Sequence, residues 1–285
     1  AIAEELVRER LGAGPIDFLS DVAEQIPARI IADILGIPRS DLPVFMRWIA
    51  DAGESLGRID PARRSRIEAS LVEFHAYVAT LLEDRRRRPK EDFLSDYVGA
   101  TTAPDELTEG EIRAQIVGLI LAGSDTTRNS ICMILSTLLQ HPDQWSALRV
   151  DPDKLKRNAV EEGLRFEPVV SGVGRIVTRD MGLEGHLIPA GAPVVLSLVS
   201  VLRDPAVYAE PERFDIRRMD HPRWSFAFGA GAHRCVGEAL ARVEMEETLT
   251  TIARLAPRTE LLGEPPVLLP GPIRSVSRMQ VAFAV

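Results

Sequence analysis

The 285-residue chain carries 42 acidic and 34 basic residues, a formal charge of −8. That balance argues against a nucleic-acid binder, which needs a basic face to neutralise phosphates. Two cysteines, Cys132 and Cys235, give no disulfide framework and suit a reducing cytoplasm. No run is apolar for long enough to span a bilayer, since Ile116–Ala122 leads straight into Asp125. A single compact domain over residues 1–285, monomeric and cytoplasmic, is expected.

Helical signals dominate the first two-thirds. Val22, Ile26, Ile30, Ile31, Ile34 and Leu35 recur at helical spacing, and Gly36-Ile37-Pro38 ends that segment. A second helix is predicted over Asp41–Leu56 and a long arginine-rich one over Pro61–Arg88, with Arg85–Arg88 read as a solvated helix end. Thr108 and Glu111 form a capping box that opens a helix reaching Leu139. Apolar residues lie on nearly all its sides, as in a helix crossing the middle of a domain, and Cys132 falls inside it as a core residue. His141-Pro142 stops it.

After Phe166 the texture changes. Arg175–Thr178 and Pro193–Val199 are rich in β-branched residues and read as strands, with a hairpin-like connection over Met181–Gly191. A proline-marked meander follows through Pro205, Pro211 and Pro222. Gly237–Leu255 reads as a helix and Met279–Val285 as a strand. The expected fold class is mainly α with a small β region.

The most informative run is Phe228-Gly229-Ala230-Gly231-Ala232-His233-Arg234-Cys235-Val236-Gly237. It sets a cysteine in a glycine-rich turn at the mouth of a helix, where backbone N–H groups and the helix dipole stabilise a thiolate. Glycines let a flat, bulky partner approach without Cβ clashes. His233 and Arg234 add positive charge suited to carboxylates. Together these features describe a haem-iron ligand; the bland alternative is a small buried hydrophobe. On the central helix, Thr126 can turn its hydroxyl to the carbonyl of Ala122 and loosen the helix locally. A mid-helix Asp125-Thr126 pair costs propensity, a sign of function, against the alternative of a solvent-facing pair.

The cysteine run resembles the haem-binding loop of the cytochrome P450 family at every fixed position. Three further motifs follow the family's order. Ala122-Gly123-Ser124-Asp125-Thr126-Thr127 resembles the oxygen-binding stretch, Glu162-Gly163-Leu164-Arg165 the E-x-x-R, and Pro211-Glu212-Arg213-Phe214 the P-E-R-F segment. The resemblance covers essentially the whole chain. It implies a P450 fold entered at its fourth helix, with Ala1–Leu35 matching the fourth and fifth helices and the front of the fold absent.

The resemblance further implies a haem-thiolate monooxygenase of the soluble bacterial type, active in secondary metabolism. It would insert one atom of O2 into a hydrophobic small molecule with electrons from a ferredoxin or flavodoxin-type donor. Cys235 would ligate the iron of haem b, with Phe228 shielding the sulfur and Gly229, Gly231 and Gly237 shaping the loop. His233 and Arg175 would hold the propionates, although an exposed strand-edge arginine would read like Arg175. Ala122 and Gly123 would leave room over the iron, and Asp125 and Thr126 would deliver protons. Glu162, Arg165 and Arg213 would form a buried charge cluster. Gly118, Leu121, Val170, Ser171 and Val276 would line the substrate pocket, and an ordinary core stripe would look the same. Arg234 and Arg242 would offer charge to the electron donor. Two alternatives stand beside this reading, an H2O2-driven peroxygenase and a haem-free scaffold or activator; the intact acid–alcohol pair weighs against the first and the intact loop against the second.

Overall fold

The computed structural model describes residues 2–55, 59–101, 107–271 and 273–285. In chain order, α1 (Ile2–Arg10) and β1 (Pro15–Asp17) precede α2 (Gln25–Ile34), α3 (Leu42–Ser55), α4 (Arg64–Arg87), α5 (Phe93–Thr101) and α6 (Glu109–Gln140). Then come α7 (Pro142–Val150), α8 (Pro152–Phe166), β2 (Gly172–Ile176), β3 (Met181–Leu183), β4 (His186–Ile188), β5 (Pro193–Ser197) and α9 (Leu198–Val201). A long meander leads to α10 (Glu238–Leu255), and β6 (Glu260–Leu261), β7 (Leu268–Leu269), β8 (Ser275–Val276) and β9 (Gln280–Ala282) close the chain. Mainly helical with small sheets, this is the expected class.

The chain divides into two compact units, one of Ala1–Ile2 with Ser20–Arg128 and one of Ala3–Leu19 with Asn129–Val285. The boundary falls inside α6.

The first unit buries the inner faces of α2 to α5 and the front half of α6 in one apolar cluster that includes Ile31, Phe45, Trp48, Phe74, Leu82, Leu94, Ile116 and Ile120. Trp48 stacks on Phe74 with ring centroids 5.8 Å apart, and its indole N–H donates to Glu73 Oε2 at 3.1 Å. The capping box at α6 is present in both directions. Thr108 N–H donates to Glu111 Oε2 at 2.7 Å, and Glu111 N–H to Thr108 Oγ1 at 3.3 Å. Residue 56, the expected end of the second helix, lies outside the described residues.

Two elements here differ from expectation. Phe93–Thr101 is a helix that the sequence reading passed over. Arg85 is buried, not solvated: its Nε donates to Asp92 Oδ2 at 2.7 Å, its Nη1 to Asp84 Oδ2 at 2.7 Å, and its Nη2 to the Leu35 carbonyl at 3.4 Å. It sits one α4 turn beyond Leu82 and Val78, on the core stripe rather than past its end. Gly36, at φ +64°, turns the chain out of α2 where a Cβ would run into the Arg85 guanidinium.

In the second unit β9 lies between β1 and β6, antiparallel to both, while β2–β5, β3–β4 and β7–β8 form antiparallel pairs. The first strand after α8 covers Gly172–Ile176, so Arg175 is its fourth residue and not its first. Pro193–Ser197 stops before Val199 because Ser197 Oγ accepts from Ser200 N–H and starts α9. The β3–β4 turn passes through Glu184 and Gly185, both with positive φ, as a tight hairpin requires. Where α8 meets the rear half of α6, a Cβ on Gly163 would lie 2.5 Å from Ile134 Cγ1, so only glycine fits. Cys132, on that rear half, is fully buried, as expected of a core residue. No described helix is long and apolar enough to cross a membrane.

Candidate active site

In the second unit the cysteine loop is built by glycine backbone and closed by main-chain bonds. Gly229 (φ 72°, ψ −169°) and Gly231 (φ 73°) take conformations that side chains disfavour. Gly229 N–H donates to the Phe226 carbonyl at 2.9 Å, and Cys235 N–H donates to the Phe228 carbonyl at 2.9 Å. No described atom lies within 4 Å of a Cβ built on Gly231, so that flank of the loop is open. Cys235 is a free, exposed cysteine two residues ahead of Gly237, the N-cap of α10. Trp224, Phe226, Val236, His233 and Arg175 are exposed as well. The Arg175 guanidinium donates to the Gly174 carbonyl at 2.8 Å. The Arg242 guanidinium lies 4.4 Å over the Phe228 ring, and the Phe228 carbonyl accepts from the Cys235 N–H.

Arg234 and Arg242 correct an expectation. Neither presents an unpaired charge. Arg234 donates to the carbonyls of Gly229 at 2.7 Å and Ser225 at 3.3 Å and to Glu238 Oε1 at 2.6 Å. Arg242 bonds Glu161 and Glu238. Burial works to raise the Glu238 carboxyl, but its two arginine partners outweigh burial and hold it below its ordinary value.

Beneath the meander, Glu162 and Arg165 are both fully buried and meet at 2.7 and 2.8 Å through two parallel bonds. The third member is Arg218, not Arg213. Arg218 Nε donates to Glu162 Oε2 at 3.1 Å, and its side chain is 6% exposed. Arg213's side chain is 60% exposed and pairs with Glu210 and Asp215. What Arg213 gives the cluster is its carbonyl, which accepts from Arg165 Nη2 at 3.0 Å and Arg218 Nη2 at 2.9 Å. The backbone turns inward at 213, so its side chain must point out. The turn closed by Arg218 N–H to the Asp215 carbonyl then returns Arg218 to the interior. Further bonds from these two arginines reach the carbonyls of Leu202, Ala209, Glu210 and Pro211.

In the first unit, Thr126 Oγ1 donates to the Ala122 carbonyl at 2.9 Å, the bond the sequence suggests. α6 runs as one α-helix from Glu109 to Gln140 through this back-bond and that of Ser124 Oγ to the Ile120 carbonyl at 2.7 Å. Asp125 is buried and lies 3.0 Å from Arg128, which also pairs with Glu24 at 3.1 Å. Burial raises the Asp125 carboxyl, and Arg128 offsets that only in part. Gly53 of α3 packs against this carboxylate so closely that a Cβ would collide with it. Gly123 does not face open space, because Ile31 occupies it: an added Cβ would lie 2.8 Å from Ile31 Cδ1. Ala122 and Gly118 are exposed on α6, whereas Leu121 packs against the apolar cluster. Of the other candidate pocket residues, Val170 bridges to Ile273, Ser171 Oγ donates to the Gly271 carbonyl at 2.8 Å, and Val276 is buried.

Comparison with known proteins gives concordant results. The family model for cytochrome P450 matches residues 63–255. A plant-inducible cytochrome P450, pinF1 of Rhizobium radiobacter, is 40% identical over 273 residues, covering 94% of this chain and 64% of the relative. The mycinamicin IV hydroxylase/epoxidase of Micromonospora griseorubida is 33% identical, covering 95% of this chain and 69% of that protein. Among solved structures, cytochrome P450 CYP109Q5 from Chondromyces apiculatus superposes with a TM-score of 0.89 at 31% identity, over 100% of this chain and 70% of that one. The chain thus spans roughly two thirds of the length of the proteins it matches.

Proposed function

The chain belongs to the cytochrome P450 family, and from that premise we propose that it is the larger part of a haem-thiolate monooxygenase. The reaction inserts one oxygen atom of O2 into a hydrophobic small molecule, with electrons from a ferredoxin or flavodoxin-type donor. The observation that carries this reading is the loop that presents Cys235 as an exposed thiol beside open, left-handed glycines. A soft sulfur donor, space where Cβ atoms would stand, exposed aromatics, an exposed imidazole and an exposed guanidinium fit a flat, apolar group bearing carboxylates. Haem b matches that description. Bound there, it supplies thiolate-supported activation of O2.

In this reading Cys235 Sγ ligates the iron and the Phe228 carbonyl, through the Cys235 N–H, fixes the approach of the sulfur. Arg175 pairs with the propionates and His233 hydrogen-bonds them. Gly229, Gly231 and Gly237 keep the loop close to the macrocycle, and the small, exposed Ala122 keeps α6 slim, whereas Gly123 admits Ile31. Thr126 commits its hydroxyl hydrogen to the Ala122 carbonyl, which leaves its oxygen free to accept a hydrogen bond from water. The raised carboxyl of Asp125 holds a proton to higher pH than a surface aspartate and can pass it on. Glu162, Arg165 and Arg218 hold the meander. A hydrophobic substrate is supported by relatives named for steroid C26 oxidation in Rhodococcus jostii and by a solved relative, CYP109E1, in complex with testosterone. Gly118, Leu121, Val170, Ser171 and Val276 are the proposed contacts.

The test is the reduced carbon-monoxide difference spectrum of the haem-loaded protein. A thiolate-type Soret band is expected and should vanish in Cys235→Ala; a protein that keeps the same band after that change overturns the reading. Asp125→Asn should keep the band yet slow donor-driven substrate oxidation roughly 10- to 100-fold, as loss of a positioned proton donor does. Turnover with H2O2 but not with an electron donor would instead identify a peroxygenase.

A further inference from the structure

Four charged side chains form a continuous brace around the cysteine loop, all within the second unit. Glu238, the first residue of α10, is the hub: its Oε1 accepts from Arg234 Nη2 at 2.6 Å and also from Arg242 Nη1. From the hub, Arg234 reaches back to the Gly229 and Ser225 carbonyls, and its guanidinium lies 4.8 Å over the Trp224 ring. Arg242 lies 4.4 Å over the Phe228 ring and bonds Glu161 of α8. One carboxylate therefore ties the two arms of the loop, residues 225–229 and 234–235, to each other, to α10 and to α8. Exposed ion pairs are worth little. These side chains, however, are only 12% to 21% exposed, and each arginine uses several donors in one fixed geometry.

We propose that Glu238 is the positioning residue of the ligand loop, setting both where Cys235 presents its sulfur and how positive the surroundings of the bound iron are. The proposal rests on the haem-thiolate reading above. Position and charge can be separated by substitution. Glu238→Gln retains an oxygen that accepts from both arginines but removes the negative charge three residues along the chain from the ligand. Alanine removes both, leaving two neighbouring cations without their shared acceptor.

The experiment uses the haem-loaded protein and two readouts, the carbon-monoxide difference spectrum and the reduction potential of the iron. Glu238→Gln is expected to keep the thiolate-type band while favouring the reduced iron about tenfold, a shift of about 59 mV for one electron toward positive potential. Glu238→Ala is expected to move a substantial share of the reduced complex to the band of a displaced or protonated thiolate. Glu238→Asp, which restores charge on a shorter arm, should recover part of the wild-type spectrum. Glu247→Gln removes a charge from the exposed side of the same helix, where Glu247 pairs with Lys156, and should change neither readout. Wild-type potential and spectrum in both Glu238→Gln and Glu238→Ala overturn the proposal and leave the haem-thiolate reading standing. A wild-type protein without a thiolate band overturns both.

Discussion

Replacing Glu162 with alanine is expected to destabilise the protein by about 3–5 kcal/mol, because it strands two buried guanidinium groups that have no solvent to turn to. The acid meets Arg165 through two bonds, Arg218 through one and the Asp215 N–H through another. With Asp220 at 3.2 Å from Arg218, the four charges cancel, so removing one member leaves a net charge in the interior. Arg218→Ala should cost a similar amount. Arg213→Ala should stay within about 0.5–1 kcal/mol, since its exposed side chain pairs only with partners at or near the surface, and its carbonyl survives the substitution. Arg218→Lys should not rescue, because an ammonium cannot fork between Glu162 and the carbonyls of Ala209, Glu210 and Arg213. Urea denaturation of each variant, with haem content measured alongside, checks all four. Equal losses for Arg213→Ala and Arg218→Ala would sink the assignment of Arg218 as third member.

This pair of arginines also shows what the sequence could and could not reveal. The capping box at Thr108 and Glu111, the stop at His141-Pro142 and the Thr126 back-bond are local, reaching three or four residues, and the sequence carries them in full. Glu162 and Arg165 share a helix face for the same reason. Arg213 against Arg218 depends on which way a loop without periodicity turns its side chains, and no pattern encodes that. Phe214-Asp215 followed by Arg218 was the available signal: Asp215 accepts from Arg217 N–H and marks a turn that brings the chain back inward. Four consecutive arginines suggest a solvated helix end, but Val78, Leu82 and Arg85 hold one buried face of α4. Arg234 and Arg242 were read as free charges for want of their acids. Glu238 is local to both, but Glu161 is 81 residues away from Arg242.

The other large effect concerns pH. Glu244 lies on the inner face of α10, buried with Met245, Thr248 and Leu249, and its Oε2 has no hydrogen-bond partner among the described residues. Burial alone pushes its carboxyl up to about 8. The sign follows from proton counting. Between about 4.5 and 8 the folded protein keeps this proton and the unfolded chain has lost it, so stability is complete below the unfolded value and falls as pH rises to about 8. At about 1.4 kcal/mol per pH unit the whole window is worth about 5 kcal/mol as an upper limit. His75 and His221, both lowered chiefly by burial, act in the opposite sense, but only below the ordinary histidine value of about 6.5. Above it the Glu244 slope stands clear. Asp125 and Glu246, also raised chiefly by burial, are common to wild type and variant, so the difference between the two profiles belongs to Glu244. Wild-type stability is therefore expected to drop by about 2 kcal/mol between pH 6.5 and 8, and Glu244→Gln, whose amide does not titrate, should lose most of that slope and overtake wild type at the alkaline end. Urea midpoints at half-unit pH steps measure it. Parallel profiles for the two proteins would sink the assignment of this slope to a Glu244 that keeps its proton through neutral pH.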